Sequence, residues 1–202
     1  MARIDYYFTP LSPFTYLAGL RLEEVAEKHG VDIEYKPFDL MTVFRTHGTP
    51  ALPDRHEARK QYRLQELGRI ADFVGLPIVP QPKHFPTNPV PACTTIISAQ
   101  MHGGAHVGEL AHRIMRACWV EEEDIAQDHV LRRCLEETGF DAGLVDRDML
   151  SAVEIYEKNT QDALNANVFG SPSYVVDHQL FWGQDRIPYL DRHLAQHPEA
   201  PA

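Results

Sequence analysis

Apolar positions recur with two different periods along the chain, and the change of period divides it into three stretches. Arg3 to Phe8 is short and rich in aromatic residues at Tyr6, Tyr7 and Phe8, as suits a buried strand. Thr9-Pro10-Leu11 breaks it, and Ser12-Pro13 reads as a helix start. A serine at that place can accept a bond from a first-turn amide, and proline fits the first helical position, where a missing N–H costs nothing. Phe14, Leu17, Ala18, Leu22, Val25 and Ala26 then follow helical spacing, Gly30 closes the helix, and Val31 to Phe38 reads as a second strand. A strand–helix–strand unit of this length predicts a right-handed parallel crossover.

From about Leu40 to Leu164 almost no strand signal remains. Residues 54–74 place Tyr62, Leu67, Ile70, Ala71 and Val74 on one helical stripe closed by Gly75. Six prolines between Leu76 and Pro91 predict an ordered loop. Helical periodicity returns at Ala92–Met101, Val107–Val120, Asp128–Thr138 and Asp146–Ala166, with Gly103-Gly104, Glu121 to Asp124 and Gly139 between them. Strand signals reappear at Ser173–Asp177 and Gln179–Trp182, around a tight turn at Asp177-His178. Ile187 to Leu194 is a last helix, and His197 onward reads as a frayed end. The pattern is β-α-β, a helical block, then β-β-α. This predicts an α/β, thioredoxin-like fold with an inserted all-helical domain, residues 1–39 and 166–202 making the thioredoxin-like domain and 40–165 the insertion.

Charge and cysteine usage narrow the function. The chain has 202 residues with a formal net charge of −10, which argues against nucleic-acid binding. It holds no apolar run long enough for a membrane span, and Met1 to Asp5 lead directly into the first strand without the apolar stretch of a signal peptide. Cys93, Cys118 and Cys134 form no C-x-x-C pair, so neither a disulfide framework nor a zinc knuckle is expected. A cytoplasmic location is the default expectation. The cysteines sit beside apolar residues in helical segments and read as packing residues. His102, His106 and His112 lie close together, but no nearby cysteine or carboxylate completes a ligand set, and no metal is expected. Arg55, Arg59, Lys60, Arg63 and Arg69, interspersed with Glu57 and Glu66, read as a solvated, salt-bridged helix face.

Three short segments carry candidate chemistry. Phe8-Thr9-Pro10-Leu11-Ser12-Pro13-Phe14-Thr15-Tyr16-Leu17-Ala18 delivers Ser12 to a helix N-terminus, where unpaired amides favour an anion; a plain N-cap is the simpler reading. Asn167-Val168-Phe169-Gly170-Ser171-Pro172-Ser173-Tyr174 puts a proline directly before a strand, which suggests a cis peptide. Leu180-Phe181-Trp182-Gly183-Gln184-Asp185-Arg186 sets Gln184 and Asp185 between a strand and the last helix, where capping alone would also explain them.

Together these segments resemble the DsbA-like thioredoxin superfamily, in the branch of 2-hydroxychromene-2-carboxylate isomerases and kappa-class glutathione transferases. The resemblance runs over essentially the whole chain. Redox members keep two cysteines at the start of the first helix, where this chain reads Ser12-Pro13-Phe14-Thr15, so the nucleophile of disulfide exchange is missing. The resemblance implies glutathione as cofactor, with Ser12 as the catalytic residue donating to its sulfur. Pro172 would be the cis-proline, the backbone of Ser171 would pair with the cysteinyl part, and Gln184 and Asp185 would hold the γ-glutamyl end. It further implies a small aromatic substrate and a homodimer. Relatives often carry an asparagine after a glycine and a lysine a few residues earlier; here Gly48 is followed by Thr49, and Arg45 stands as the candidate for a substrate carboxylate. Three functions stay open at this point: a glutathione-dependent isomerase of an aromatic ring-fission product, a glutathione transferase, and a non-catalytic adaptor that binds a peptide beside the cis-proline.

Overall fold

The computed structural model describes residues 3–103 and 106–197. Gly104, and the chain beyond His197, lie outside the described residues.

Strand β1 (Arg3–Phe8) pairs in parallel with β2 (Asp32–Pro37), with Tyr6 opposite Tyr35 and Phe8 opposite Pro37. On its other side β1 runs antiparallel to β3 (Ser173–Val176), which turns back into β4 (Gln179–Trp182). The sheet order is β2-β1-β3-β4. Asp177 and His178 both take positive φ, at 50° and 60°, which the tight primed turn requires. The period-two rule assigns β1 to two cores. Ile4, Tyr6 and Phe8 enter the large cluster on one face, and Tyr7 joins Phe38, Val43, Ala163 and Val168 on the other. Tyr6 stacks on both Phe8 and Tyr174, with ring centroids 4.6 and 5.3 Å apart.

The single helix expected between β1 and β2 is two. Helix α1 (Pro13–Tyr16) is one turn long, and α2 (Arg21–His29) begins after a break at residues 17–20. Gly19 adopts φ +62°, outside the helical region. The carbonyls freed there are taken by Arg21, which donates from Nε to Ala18 O and from Nη2 to Leu17 O, both at 2.9 Å. Leu17 and Ala18 stay buried through the break, so apolar spacing alone could not reveal it.

A short helix not expected from the sequence, α3 (Leu40–Thr46), follows β2 and is capped by Asp39, whose Oδ1 accepts from the amides of Met41 and Thr42. The remaining helices fall close to the expected segments: α4 (Glu57–Val74), α5 (Val90–Met101), α6 (Val107–Trp119), α7 (Asp128–Glu137), α8 (Met149–Asn165) and α9 (Ile187–Gln196). Helix α5 is buried nearly all round, from Ala92 to Ala99. His102 ends α5 and His106 precedes α6, with Gly103 at φ +72° between them, so the two never share a helix face.

Helices α3 to α8 lie between β2 and β3 in the chain, and their apolar faces join the sheet's core: Phe8, Leu17 and Leu22 share one cluster with Leu110, Ile114, Trp119 and Leu131. Two polar ties fix this packing where the site will lie. Trp119 Nε1 donates to Pro10 O at 3.1 Å, and Tyr16 Oη donates to Pro77 O at 2.8 Å. Both anchor the loop and turn that flank Ser12. No helix of the described residues is long and apolar enough to cross a membrane.

Candidate active site

Ser12 caps α1: its Oγ accepts from the Thr15 amide at 3.2 Å, with backbone angles of −91° and 117°. The same hydroxyl donates to the carbonyl of Ser171 at 3.1 Å, joining residues 159 apart in sequence. The Ser171–Pro172 peptide is cis. The Ser171 hydroxyl accepts from the Thr9 amide at 3.0 Å and shares a hydrogen bond of 2.8 Å with Thr15 Oγ1. Four polar residues from two distant segments therefore form one network, and all four are buried. Ser12 is therefore both the helix cap and a member of a tertiary cluster.

Because α1 is one turn long, the positive end available to an anion at Ser12 is that of a short helix, weaker than a continuous helix to Gly30 would give. No thiol stands in this network. Cys93, Cys118 and Cys134 are buried in helices, and burial pushes the thiols of Cys118 and Cys134 up to about 12 and about 11. Thiols held protonated in the core supply no nucleophile here.

Beside the network opens a cleft of about 720 Å³. Phe14 and Ser171 form its floor, Trp182 to Arg186 one wall, and Arg55, Arg59, Tyr62, Arg63 and Ile70 the other. Ser12 and Pro172 lie behind the lining, reached through Ser171. Trp182 is held by Phe169, ring centroids 4.8 Å apart, and by Gly170, where a Cβ would sit 2.1 Å from the indole nitrogen. The glycine of the Phe-Gly-Ser-Pro segment is thus fixed by close approach of a ring. Pro172 O accepts from the Gly183 amide at 2.9 Å, which sets the Trp182–Arg186 wall against the cis-proline turn.

Gln184 is buried, and its Oε1 accepts from Arg21 Nη2 at 2.6 Å, so the arginine that covers the helix break also orients the cleft wall. Asp185 is exposed at the cleft, 2.6 Å from Arg186. Ser171, Gln184 and Asp185 are brought together along one cleft, with Ser12 and Pro172 directly behind. Arg45 is not. It bonds Thr42 Oγ1 at 2.6 Å, lies 3.8 Å from Asp39, and does not line the cleft. Besides Arg186, the arginines that do line it are Arg55, Arg59 and Arg63, from the helix face read in the sequence as solvated. Lys60 and Arg69 of that face do pair with Glu57 and Glu66, at 3.7 and 2.6 Å. A basic stripe looks the same in sequence whether it faces water or a cleft; the spacing of Arg55, Arg59 and Arg63 by four was the available signal.

Under α1, His112 stacks on Tyr16 at 5.2 Å, and burial lowers its pKa, keeping it neutral. Among the described residues no group of three or more His, Cys, Asp or Glu side chains is placed to hold a metal.

Comparison with known proteins agrees with this architecture. The family model for the DSBA-like thioredoxin domain matches residues 3–195. A 2-hydroxychromene-2-carboxylate isomerase of Sphingobium xenophagum is 31% identical over 194 residues, covering 95% of this chain and 97% of that protein. The glutathione S-transferase kappa 1 of Caenorhabditis elegans is 26% identical over 98% of this chain and 93% of its own. A solved 2-hydroxychromene-2-carboxylate isomerase superposes with a TM-score of 0.76 at 27% identity, covering 96% of this chain and 95% of the other. The chain therefore belongs to the DSBA-like thioredoxin domain family, in the branch that holds proteins named 2-hydroxychromene-2-carboxylate isomerase and kappa-class glutathione transferase.

Proposed function

We propose that this chain is a glutathione-dependent isomerase of a small aromatic ring-fission product, with Ser12 tuning the glutathione thiol. The observation that carries the reading is the Ser12 hydroxyl, 3.1 Å from Ser171 O behind a cleft whose neighbourhood holds no cysteine. The lining suits glutathione in its charges: Asp185 for an ammonium, arginines for carboxylates, and Ser171 beside the cis-proline for an extended backbone. Phe14, Tyr62 and Trp182 offer apolar faces to an aromatic partner.

Bound glutathione would supply a thiolate that adds reversibly to a conjugated system, lets the former double bond rotate, and leaves again. The protein's residues do the rest. Ser12 donates its proton to Ser171 O as the structure stands. Ser171 O would accept from the cysteinyl N–H of bound glutathione, and the Ser12 hydroxyl, released from that carbonyl, would donate to the sulfur. A hydrogen bond to a charged group is worth about 1.5–3 kcal/mol, which corresponds to a thiol pKa lowered by roughly one to two units from about 8.5. The Thr9–Ser171–Thr15 bonds hold the Ser171 backbone in place while this happens. Gln184, fixed by Arg21, and Asp185 orient the γ-glutamyl end.

Calorimetry with glutathione tests the cofactor. The isomerase reading requires binding below millimolar concentration; its absence would favour the peptide-binding adaptor. A second reading, glutathione transferase, draws support from the kappa-class relative. Mass spectrometry of turnover separates the two, because a persistent glutathione adduct belongs to the transferase alone. A homodimer is part of the same proposal and is read by sedimentation velocity.

A further inference from the structure

Arg21, the first residue of α2, lies outside the cleft lining, and its guanidinium is committed to fixed partners. Nε donates to Ala18 O and Nη2 to Leu17 O, both at 2.9 Å, and Nη2 donates also to Gln184 Oε1 at 2.6 Å. Leu17 is the C-cap of α1, so one side chain joins the end of the Ser12 helix to the wall at Gln184, 163 residues further along the chain. A guanidinium donates and never accepts. It therefore settles which way round the Gln184 amide stands: the oxygen faces Arg21, and the N–H2 faces away from it. Gln184 is only 8% exposed, it lines the cleft, and its Nε2 donates to no partner among the described residues. That nitrogen is not sealed in the core either, so it opens on the cleft. Nor does the side chain cap a helix. Gly183 stands at the N-cap of the turn at Gln184–Arg186 and Arg186 at that of α9, and neither start takes a side-chain cap bond. A buried amide with its oxygen held and its donors free is a site for an acceptor. Asp185, next along the wall, offers the opposite chemistry, an anionic acceptor.

We propose that Arg21 is a positioning residue that sets the polarity of this wall: by holding Gln184 Oε1 it turns the amide donors into the cleft, where they read the α-carboxylate of the γ-glutamyl end. The inference rests on the reading that glutathione occupies this cleft, and it adds a residue that stands behind the wall and acts through another side chain. Without Arg21 the amide is free to turn over and present its oxygen, which repels a carboxylate. The donors also gain from the positive charge behind them, because hydrogen bonds in series polarise one another. A lysine at this place would be a point charge without a fork, unable to hold two carbonyls and the amide oxygen from one plane.

The probes are glutathione and 4-aminobutyryl-cysteinyl-glycine, which is glutathione without the γ-glutamyl α-carboxylate. Both keep the ammonium, the thiol and the glycyl carboxylate, so the arginine wall meets the same group in each. Calorimetry on the full chain gives the ratio of the two affinities. Wild type is expected to prefer glutathione by about ten- to a hundred-fold, as for a hydrogen bond to a charged group. In Arg21→Lys and Arg21→Met the ratio should fall by about three- to tenfold, the effect of having to order a side chain left loose. Gln184→Glu leaves both carbonyl bonds of Arg21 in place and offers it a stronger partner, yet puts a negative oxygen in the cleft; its melting temperature should hold while the preference disappears. Gln184→Leu removes the donors, and in that background Arg21→Met should change the ratio by less than about twofold. A further several-fold fall there would mean that Arg21 reads the carboxylate itself, and the positioning role is overturned. An unchanged ratio in the Arg21 variants or in Gln184→Glu overturns it as well. Glutathione binding by wild type with the ratio at unity sinks this inference alone, whereas binding of neither probe sinks the proposed function and this inference with it. Should both Arg21 variants melt near the assay temperature, the ratio is read on Gln184→Glu, where a preserved preference for glutathione overturns the proposal.

Discussion

Ser12→Ala separates the structural task of Ser12 from its chemical one. The substitution deletes an N-cap bond to Thr15 N and a donor to Ser171 O. Loss of the cap costs about 0.5–2 kcal/mol. Loss of the donor to the Ser171 carbonyl, a neutral hydrogen bond, adds about 0.5–1.5 kcal/mol at most. A total of about 1–3.5 kcal/mol lowers the melting temperature by roughly 2–14 °C for a chain of this size. That shift is expected whether or not Ser12 touches glutathione. The chemical task shows elsewhere. If the hydroxyl stabilises the thiolate by about 1.5–3 kcal/mol, its removal raises the thiol pKa of the bound cofactor by roughly one to two units and slows turnover near neutral pH by about ten- to a hundred-fold. The assay is the ultraviolet thiolate absorbance of the glutathione complex against pH, for wild type and variant. Superimposable curves beside a lowered melting temperature would reduce Ser12 to a helix cap and refute the role assigned to it.

Three further outcomes follow from the geometry. Gly170→Ala forces a Cβ toward the Trp182 indole, so a loss of about 1–3 kcal/mol and weaker glutathione binding are expected; unchanged thermal melts would mean the ring swings away freely. Burial holds the Glu23 carboxyl above its usual range, with its Oε1 accepting from Tyr35 at 3.0 Å, so the folded protein binds that proton more tightly than the unfolded chain does. This contribution is therefore full below the unfolded pKa and lost as pH rises toward the folded one. Glu23→Gln should accordingly melt higher than wild type at pH 7 and lose that advantage near about pH 4; an advantage independent of pH would contradict the burial argument. Ser12→Cys, with Thr15 still in the second position, should form a mixed disulfide with glutathione yet fail as a dithiol oxidant, and measurable insulin-disulfide oxidation would contradict this.

Local chemistry in the sequence determined the elements and the start of each site segment. The aromatic run Tyr6-Tyr7-Phe8 marks β1, apolar stripes of helical period mark α4 and α6, and Ser12-Pro13 and Ser171-Pro172 announce a helix start and a turn before a strand. These follow from properties of a residue and its near neighbours: proline's fixed φ, serine's short acceptor, the period of an apolar face. The break at Gly19 escaped the sequence because Leu17 and Ala18 before it and Leu22 after it all stay buried, and the side chain that satisfies the freed carbonyls comes from beyond it. Helix α3 escaped because seven residues give a weak periodic signal. The site itself was decided by tertiary packing. Ser12 meets Ser171 across 159 residues only because β1 and β3 are sheet neighbours. Arg45 and Arg63 are chemically alike, yet one is taken up by Asp39 and Thr42 and the other faces the cleft. Periodicity says which face of a helix is polar; only the neighbour packed opposite decides whether that face meets water, a carboxylate or a ligand.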